Sequence, residues 1–481
     1  MTRFGARVFT LALLLFLPAC TTNPATGESQ FTALMSPEQE VGVGSQEHEK
    51  VIKEFGEYDD PALQAYVRQV GARVSARTER PEVRYNFFLL DSPMVNAFAL
   101  PGGYIYITRG LLALANSEAE MASVLAHETG HITARHSAAR YSRGVVTSLG
   151  AAILASAVGT TGVSQALGVG SDLYMKSYSR GQENQADGLG IRYLSRAGYD
   201  PTAMSSFLRN LQADSALEAR ASGKTSGGGD YFSTHPATVE RVNKTVEEAR
   251  QYISGGVVDH DGYLRRLEGL IYGDSAAQGF VRGQNFYHTQ MGFTFTAPEG
   301  FKILNQPQQV IVASQSGALF IFDMAGSKGA KGPMDYLRNV WMQGEAVQDA
   351  QVIQVNGLEG ATASFAGKVN GKPMTIRLVA IGWSKGQVAR FQIAYPRNAP
   401  APVVDALKRV TYSFRRLSPD ERQRIRPLHL EIVTARAGDN VSSLAGRMAL
   451  PALREEHFRV LNGLGPQDGV VPGRLYKIVV E

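Results

Sequence analysis

The stretch His127-Glu128-Thr129-Gly130-His131 restricts what this 481-residue chain can become more than any other. On a helix, residues four apart project from one face about one turn apart. Two imidazoles at that spacing can hold one zinc ion, and the glutamate beside the first can reach a water at the metal. With 9 His and 44 acidic residues in the chain, chance supplies such a pattern only about 0.015 times. The motif alone is still compatible with a solvated helix carrying two histidines, so the residues around it have to decide.

The segment reads as a helix. Ser117-Glu118-Ala119-Glu120 has the form of a capping box with Ser117 as N-cap. Met121, Val124, Leu125 and Ile132 recur at helical spacing and predict an amphipathic helix whose apolar stripe contains His127 and His131. His136, five residues past His131, lies about 140° further round and reads as an ordinary surface histidine. A catalytic zinc needs a third protein ligand and an open position. Ser179-Arg180-Gly181-Gln182-Glu183-Asn184-Gln185-Ala186-Asp187 opens a second helical stretch, running through Leu194 to a glycine stop at Gly198. Glu183 and Asp187 share one face of it. Glu183 can supply a ligand and Asp187 can fix the tautomer of a ligand histidine, although solvated helix acids show the same spacing.

The two helices together, HExxH followed by SRxxExxAD, resemble the membrane-associated gluzincin endopeptidases, the group of the CAAX prenyl protease and the HtpX-type proteases. Asn96-Ala97-Phe98-Ala99-Leu100-Pro101-Gly102-Gly103, continued by Tyr104-Ile105-Tyr106-Ile107-Thr108-Arg109-Gly110-Leu111-Leu112, is similar to that family's NAFxxPGG segment. Ser233-Thr234-His235-Pro236 with Arg241 resembles its THPxxxxR. The resemblance covers roughly residues 30 to 270 and implies one zinc ion per chain. It implies His127, His131 and Glu183 as ligands, Glu128 as the base and Asp187 behind the ligands.

The implied reaction is metal-assisted peptide hydrolysis, with Glu128 moving a proton from water to the leaving amine. A donor must steady the developing oxyanion, and His235 and Arg241, both in the matched segment, are the candidates; a structural salt bridge is the competing reading of Arg241. The stretch Ser222-Gly223-Lys224-Thr225-Ser226-Gly227-Gly228-Gly229 before His235 is flexible by composition, which suggests that His235 can occupy zinc's open position and hold the enzyme latent. Tyr104, Ile105, Tyr106 and Ile107 read as a strand after a Pro-Gly-Gly turn. As an edge strand beside the metal, with Asn96, they would bind an extended polypeptide by main-chain pairing; a plain core strand is the bland reading.

The first residues read as targeting. Arg3 and Arg7 precede an apolar run, Val8 to Leu17, that is too short to span a bilayer. Leu17-Pro18-Ala19-Cys20 looks like a bacterial lipobox, with Cys20 as the acylated residue and membrane anchor. Cys20 is the sole cysteine, so no internal disulfide is possible. Thr21 in place of aspartate, by resemblance to Gram-negative lipoproteins, points to the outer membrane facing the periplasm. Without residues 1–19 the charge is 47 − 44 = +3, which with no basic-aromatic stripe gives no case for nucleic acid. Val145 to Ser171 carries no charge, but its Ser, Thr and Gly content favours a small-residue helix and loop over bilayer contact.

After Gly273 short alternating runs, such as Phe293 to Thr296, Leu319 to Phe322, Ile376 to Ile381 and Val388 to Ile393, are separated by turn signals including Asn356-Gly357 and Asn370-Gly371. Helical stretches near Pro333–Met342 and Pro402–Arg409 interrupt them. The C-terminal residues, from Val433 through Gly438-Asp439 to Leu461-Asn462 and Pro472–Val479, resemble a LysM module, implying peptidoglycan as a partner. The expected fold class is α+β: a zincin-like, mainly helical metallopeptidase domain with a small sheet (20–273) after a signal peptide (1–19). An antiparallel α+β domain of unknown role (274–424) and a small βααβ module (425–481) complete it. The expected function is a zinc endopeptidase acting on misfolded or stalled envelope proteins. The rival is a non-proteolytic scaffold or chaperone on the same fold, which would have no need to retain Glu128.

Overall fold

In the computed structural model the described residues are 20–145, 177–222, 231, 235, 239–252, 255–369 and 371–481. The leader 1–19, residues 146–171 of the uncharged stretch, residues 223–229 of the linker and Asn370 lie outside them. The chain forms two compact units, residues up to Gly273 together with Leu428–Glu481, and Asp274–Pro427. It is mixed α and β throughout, with a largely helical first unit and antiparallel sheets in the second. Among the described residues no helix is long and apolar enough to cross a membrane.

The first unit begins with a hairpin of β1 (Cys20–Thr22) and β2 (Ser29–Phe31), followed by α1 (Pro37–Phe55) and α2 (Pro61–Ser75). Three strands then form one sheet: β3 (Asn86–Leu90), β4 (Ala97–Leu100) and β5 (Tyr104–Thr108). Their order is β3-β5-β4, with β5 parallel to β3 and antiparallel to β4. The short α3 (Arg109–Leu114) leads into α4 (Glu118–Thr133), which carries the HExxH motif. The ladder continues with α5 (Arg180–Arg196), α6 (Ala203–Ser222), α7 (Val239–Ala249) and α8 (His260–Arg266).

Both motif helices start where the sequence signals them. Ser117 Oγ accepts the Glu120 amide at 3.1 Å, closing one half of the expected capping box. The other half is displaced: the Glu120 carboxylate takes the amide of Asn116, one residue further back, and the Ser206 hydroxyl. At α5 the box is complete, Ser179 and Gln182 capping each other. The expected stripe on α4 is not an amphipathic face. Every residue from Ala119 to Thr133 is buried, because α2, α5, α6 and β4 pack round the helix and leave it no solvent side.

The last residues belong to the same unit. Strand Leu428–Thr434 pairs with Leu475–Val480 and with Ile271–Tyr272, and helices Val441–Gly446 and Arg454–Leu461 lie between the two long strands in sequence. Leu430, Phe458, Tyr476 and Ile478 share one hydrophobic cluster with Leu112, Met121 and Leu125. The buried Lys477 points its Nζ at the end of α3, 2.6 Å from Ala113 O and 2.7 Å from Ala115 O. These carbonyls have no partner within the helix, so the ammonium caps it.

In the second unit a seven-stranded antiparallel sheet runs in the order Lys302–Gln306, Gln309–Ala313, Leu319–Gly326, Gln387–Pro396, Lys372–Ser384, Leu358–Val369, Gln348–Val355. Helices Ala401–Ser413 and Pro419–Arg424, the helical turns Pro333–Asp335 and Tyr336–Trp341, and a four-stranded sheet complete it, around a core of Phe293, Phe295, Phe320, Phe322, Phe391 and Phe414. Asn356 and Gly357 both take positive φ, 46° and 79°, as a tight hairpin turn of their type requires.

Candidate metal centre

Two glycines let the motif helices touch. A Cβ at Gly130 would lie 3.1 Å from Ala186 O, and one at Gly190 would lie 3.1 Å from the His127 amide nitrogen. Both are tighter than side chains ordinarily pack, so α4 and α5 approach closely only because these positions carry no side chain. The glycine inside His127-Glu128-Thr129-Gly130-His131 is thus a packing residue.

That approach brings four buried side chains to one point: His127 and His131 from α4, Glu183 from α5, and His235. His127 Nε2 lies 3.1 Å from His131 Nε2, 3.3 Å from His235 Nδ1 and 3.6 Å from Glu183 Oε2. Glu183 Oε1 lies 3.0 Å from His235 Nδ1 and 3.5 Å from His131 Nε2. Ligands about 2 Å from a tetrahedral zinc are about 3.3 Å apart, so these donors outline a zinc site. The nitrogen–carboxylate donor set also suits that metal.

Glu128 borders the cluster. Among the described residues neither of its carboxylate oxygens has a hydrogen-bond partner; the nearest ring nitrogen, His235 Nε2, is 3.5 Å away. Burial pushes the Glu128 carboxyl above its usual range. Glu183 moves the other way: burial would raise it, but His235 and Arg241 outweigh that and hold it well below the carboxylate range. His235 is raised, burial being outweighed by the Glu183 and Glu128 carboxylates. A buried acid kept ionised beside one kept poised is the division of labour that ligand and base require.

Asp187 Oδ1 stands 2.9 Å from His127 Nδ1, on the ring edge away from the cluster. Arg241 forks onto Asp187 and also reaches Glu183 Oε2 at 2.7 Å. Its guanidinium is therefore engaged by Asp187, by the candidate ligand Glu183 and by the His235 carbonyl. Of the two readings of Arg241 this geometry matches the salt bridge. Tyr104, Ile105 and Tyr106 lie on β5, which is the central strand of its sheet. Both sides of β5 are already hydrogen-bonded, so it cannot accept a further strand, contrary to the edge position expected of it. The edge that packs against α4 is β4. The Tyr106 hydroxyl meets His48 Nδ1 at 2.8 Å, and Asn96 is buried just ahead of β4. Cys20 begins β1.

Three aromatic neighbours have no marker in the sequence. Tyr178 stacks on His131 at 3.7 Å between centroids, Tyr231 stacks on His235 at 4.6 Å, and His136 meets His131 edge-on. His136 is buried, not on the surface as its helical angle implied. Tyr178 directly precedes the α5 cap and Tyr231 lies one turn before His235, so proximity to the motifs was the only available signal.

Residues 61–249 match the model of peptidase family M48. A putative beta-barrel assembly-enhancing protease of Vibrio cholerae is 34% identical over 47% of this chain and 48% of its own length. The beta-barrel assembly-enhancing protease of Escherichia coli is 28% identical over 64% of this chain and 66% of its own. The mitochondrial metalloendopeptidase OMA1 of Schizosaccharomyces pombe is 29% identical over 42% of this chain and 58% of its own. The chain thus spans about half to just under two thirds of these curated relatives.

Proposed function

We propose that this chain is a zinc-dependent metalloendopeptidase of the bacterial cell envelope that hydrolyses misfolded or stalled envelope proteins. The observation that carries the reading is Glu128: a buried carboxylate, neither oxygen hydrogen-bonded among the described residues, against a cluster of three imidazoles and a glutamate. A scaffold has no use for a carboxylate so placed. His127, His131 and Glu183 hold the metal, and His235 is the fourth donor. Zinc bound there supplies Lewis acidity, bringing a water's pKa toward about 7 and polarising the scissile carbonyl.

Glu128 takes up the proton of the attacking water and delivers it to the leaving amine. Its raised affinity for the proton suits a group that must both accept and return one. Asp187 and Arg241 keep His127 and Glu183 in place. The closeness of His235 to the other three donors supports a latch: its imidazole would take the position that a water needs and would withdraw before turnover.

Cys20 is the lipid attachment site, placing the enzyme at the outer membrane on the periplasmic side after removal of residues 1–19. The names of the bacterial relatives, proteases that enhance beta-barrel assembly, support that compartment. The strand-helix-helix-strand order of Leu428–Val480 supports the LysM reading and peptidoglycan as its partner; pelleting of the chain with purified peptidoglycan tests it. Metal content and casein cleavage of wild type against Glu128→Gln test the whole. Zinc in both with cleavage in wild type alone is expected, and zinc in both with equal background cleavage would leave the scaffold.

A further inference from the structure

We propose that His136 is the positioning residue for the zinc ligand His131, fixing its tautomer and ring angle through a relay that ends on Gln185 and Glu28. This deepens the zinc reading above and rests on it. His136 Nδ1 lies 2.8 Å from His131 Nδ1, and His136 Nε2 lies 2.9 Å from Gln185 Oε1. The Gln185 amide nitrogen in turn donates to the Glu28 carboxylate.

Only one assignment of protons satisfies this chain. Glu28 is an acceptor, so the Gln185 nitrogen faces it and Oε1 is left to accept from His136 Nε2–H. A neutral His136 then has a bare Nδ1, which accepts the proton on His131 Nδ1. His131 is thereby left with its lone pair on Nε2, the atom that faces His127, Glu183 and His235. His127 has Asp187 Oδ1 in the corresponding place, 2.9 Å from its Nδ1, so both histidines of the HExxH motif have an acceptor behind them.

The backbone makes this possible. Were α4 continuous, residue 136 would point about 140° away from 131. Instead α4 stops at Ala134, and Arg135 takes a left-handed φ of 56° before residues 136–145 resume as helix. A non-glycine residue adopts that conformation only under strain, so the surrounding contacts must hold it there. Arg135 is held in it by Glu40 Oε1 at 2.9 Å and Met35 O at 2.7 Å. Glu40 is itself buried and paired with Arg80, which also reaches Ile132 O. The kink aims His136 at His131, and the Gln182 amide holds the His136 carbonyl from α5.

The test uses the full chain, measuring zinc affinity by competition with a chromogenic chelator and unfolding with and without zinc. Wild type that binds no zinc would overturn the metal centre itself, whatever His136 does. Given a wild type that binds it, folded His136→Leu is expected to weaken affinity roughly 10–100-fold. His136→Asn, whose Oδ1 falls where Nδ1 was, should recover most of this. Gln185→Leu should cost less and be non-additive with His136→Leu. A residue that only fills space would lower the melting temperature of the zinc-free protein and leave affinity alone; that result, or equal losses for Asn and Leu, overturns the proposal. If His136→Leu does not fold, Gln185→Leu decides with heteronuclear NMR of the His131 ring. Unchanged zinc affinity together with a His131 proton not on Nδ1 then overturns it.

Discussion

Arg241 grips both oxygens of Asp187, its Nε 2.5 Å from Oδ2 and its Nη2 2.8 Å from Oδ1, while Nη1 holds Glu183. All three side chains are buried, so the guanidinium is the counter-charge for two carboxylates that cannot reach water. Removing one partner of a buried ionic set costs about 3–5 kcal/mol. Arg241→Ala should therefore destabilise the zinc-free protein by that order in urea unfolding, with zinc restoring part of the loss. Lysine cannot fork, and Arg241→Lys should fall nearer to alanine than to wild type. A lysine variant as stable as wild type would mean that the fork is unimportant.

The contact of Gly130 with Ala186 predicts a graded defect. Gly130→Ala improves helix propensity by about 1 kcal/mol, so on local grounds it should stabilise α4. The added methyl meets a backbone carbonyl at 3.1 Å, and α5 must retreat by a few tenths of an ångström, carrying Glu183 away from the histidines. Zinc affinity should drop while the helix content read by circular dichroism stays constant. Unchanged affinity would mean that the helices tolerate the displacement.

His235 is stacked on Tyr231 and lies within donor distance of both Glu183 and His127. If it blocks the position that a water must take, His235→Ala should cleave casein faster than wild type. Its zinc should keep three protein donors, which X-ray absorption can count. No gain in proteolysis with unchanged coordination would remove the latch and leave His235 to the oxyanion role.

What the sequence made legible was whatever follows from local periodicity. Both motif helices, the cap at Ser117 and the shared face of His127 and His131 follow from spacings of three and four; Glu183 as the third donor comes only from the resemblance of the two motifs together, because a solvated helix acid shows the same spacing. The order of strands does not: Tyr104–Ile107 alternates like any half-buried strand, and only the long-range pairing with Asn86–Leu90 and Ala97–Leu100 puts it at the centre. His136 was misplaced for a related reason. Ala134-Arg135 carries neither glycine nor proline, so nothing in the chain announces a left-handed residue that Glu40, far away in sequence, stabilises.

The stability of the second unit should depend on pH with a simple sign. His288 is half-buried, its Nδ1 accepts the Met291 amide at 3.3 Å, and burial pushes its pKa from 6.5 down to about 4. Between those values the unfolded chain binds a proton that the folded unit refuses, so stability is lost as pH falls from 6.5 toward 4. The loss has a ceiling of about 3 kcal/mol, reduced where water reaches the ring. His288→Gln should flatten that part of the stability curve in denaturant titrations. An equal slope in both proteins would place the titration elsewhere.

Phe458 and Leu125, more than three hundred residues apart in sequence, belong to one buried cluster, so the C-terminal segment should not melt as a free module. An independent module would unfold in its own transition and leave the peptidase unit untouched. Shared burial predicts the opposite: Phe458→Ala costs about 3–5 kcal/mol and should lower the transition that releases zinc. Truncation after Pro427 is harsher still. It strips Lys477 from the Ala113 and Ala115 carbonyls at the end of α3, three residues before the Ser117 cap of the metal-binding helix. The truncated chain should lose tight zinc binding and become protease-sensitive within α3 and α4. A truncated protein that keeps wild-type zinc affinity and a cooperative transition would restore the separate module.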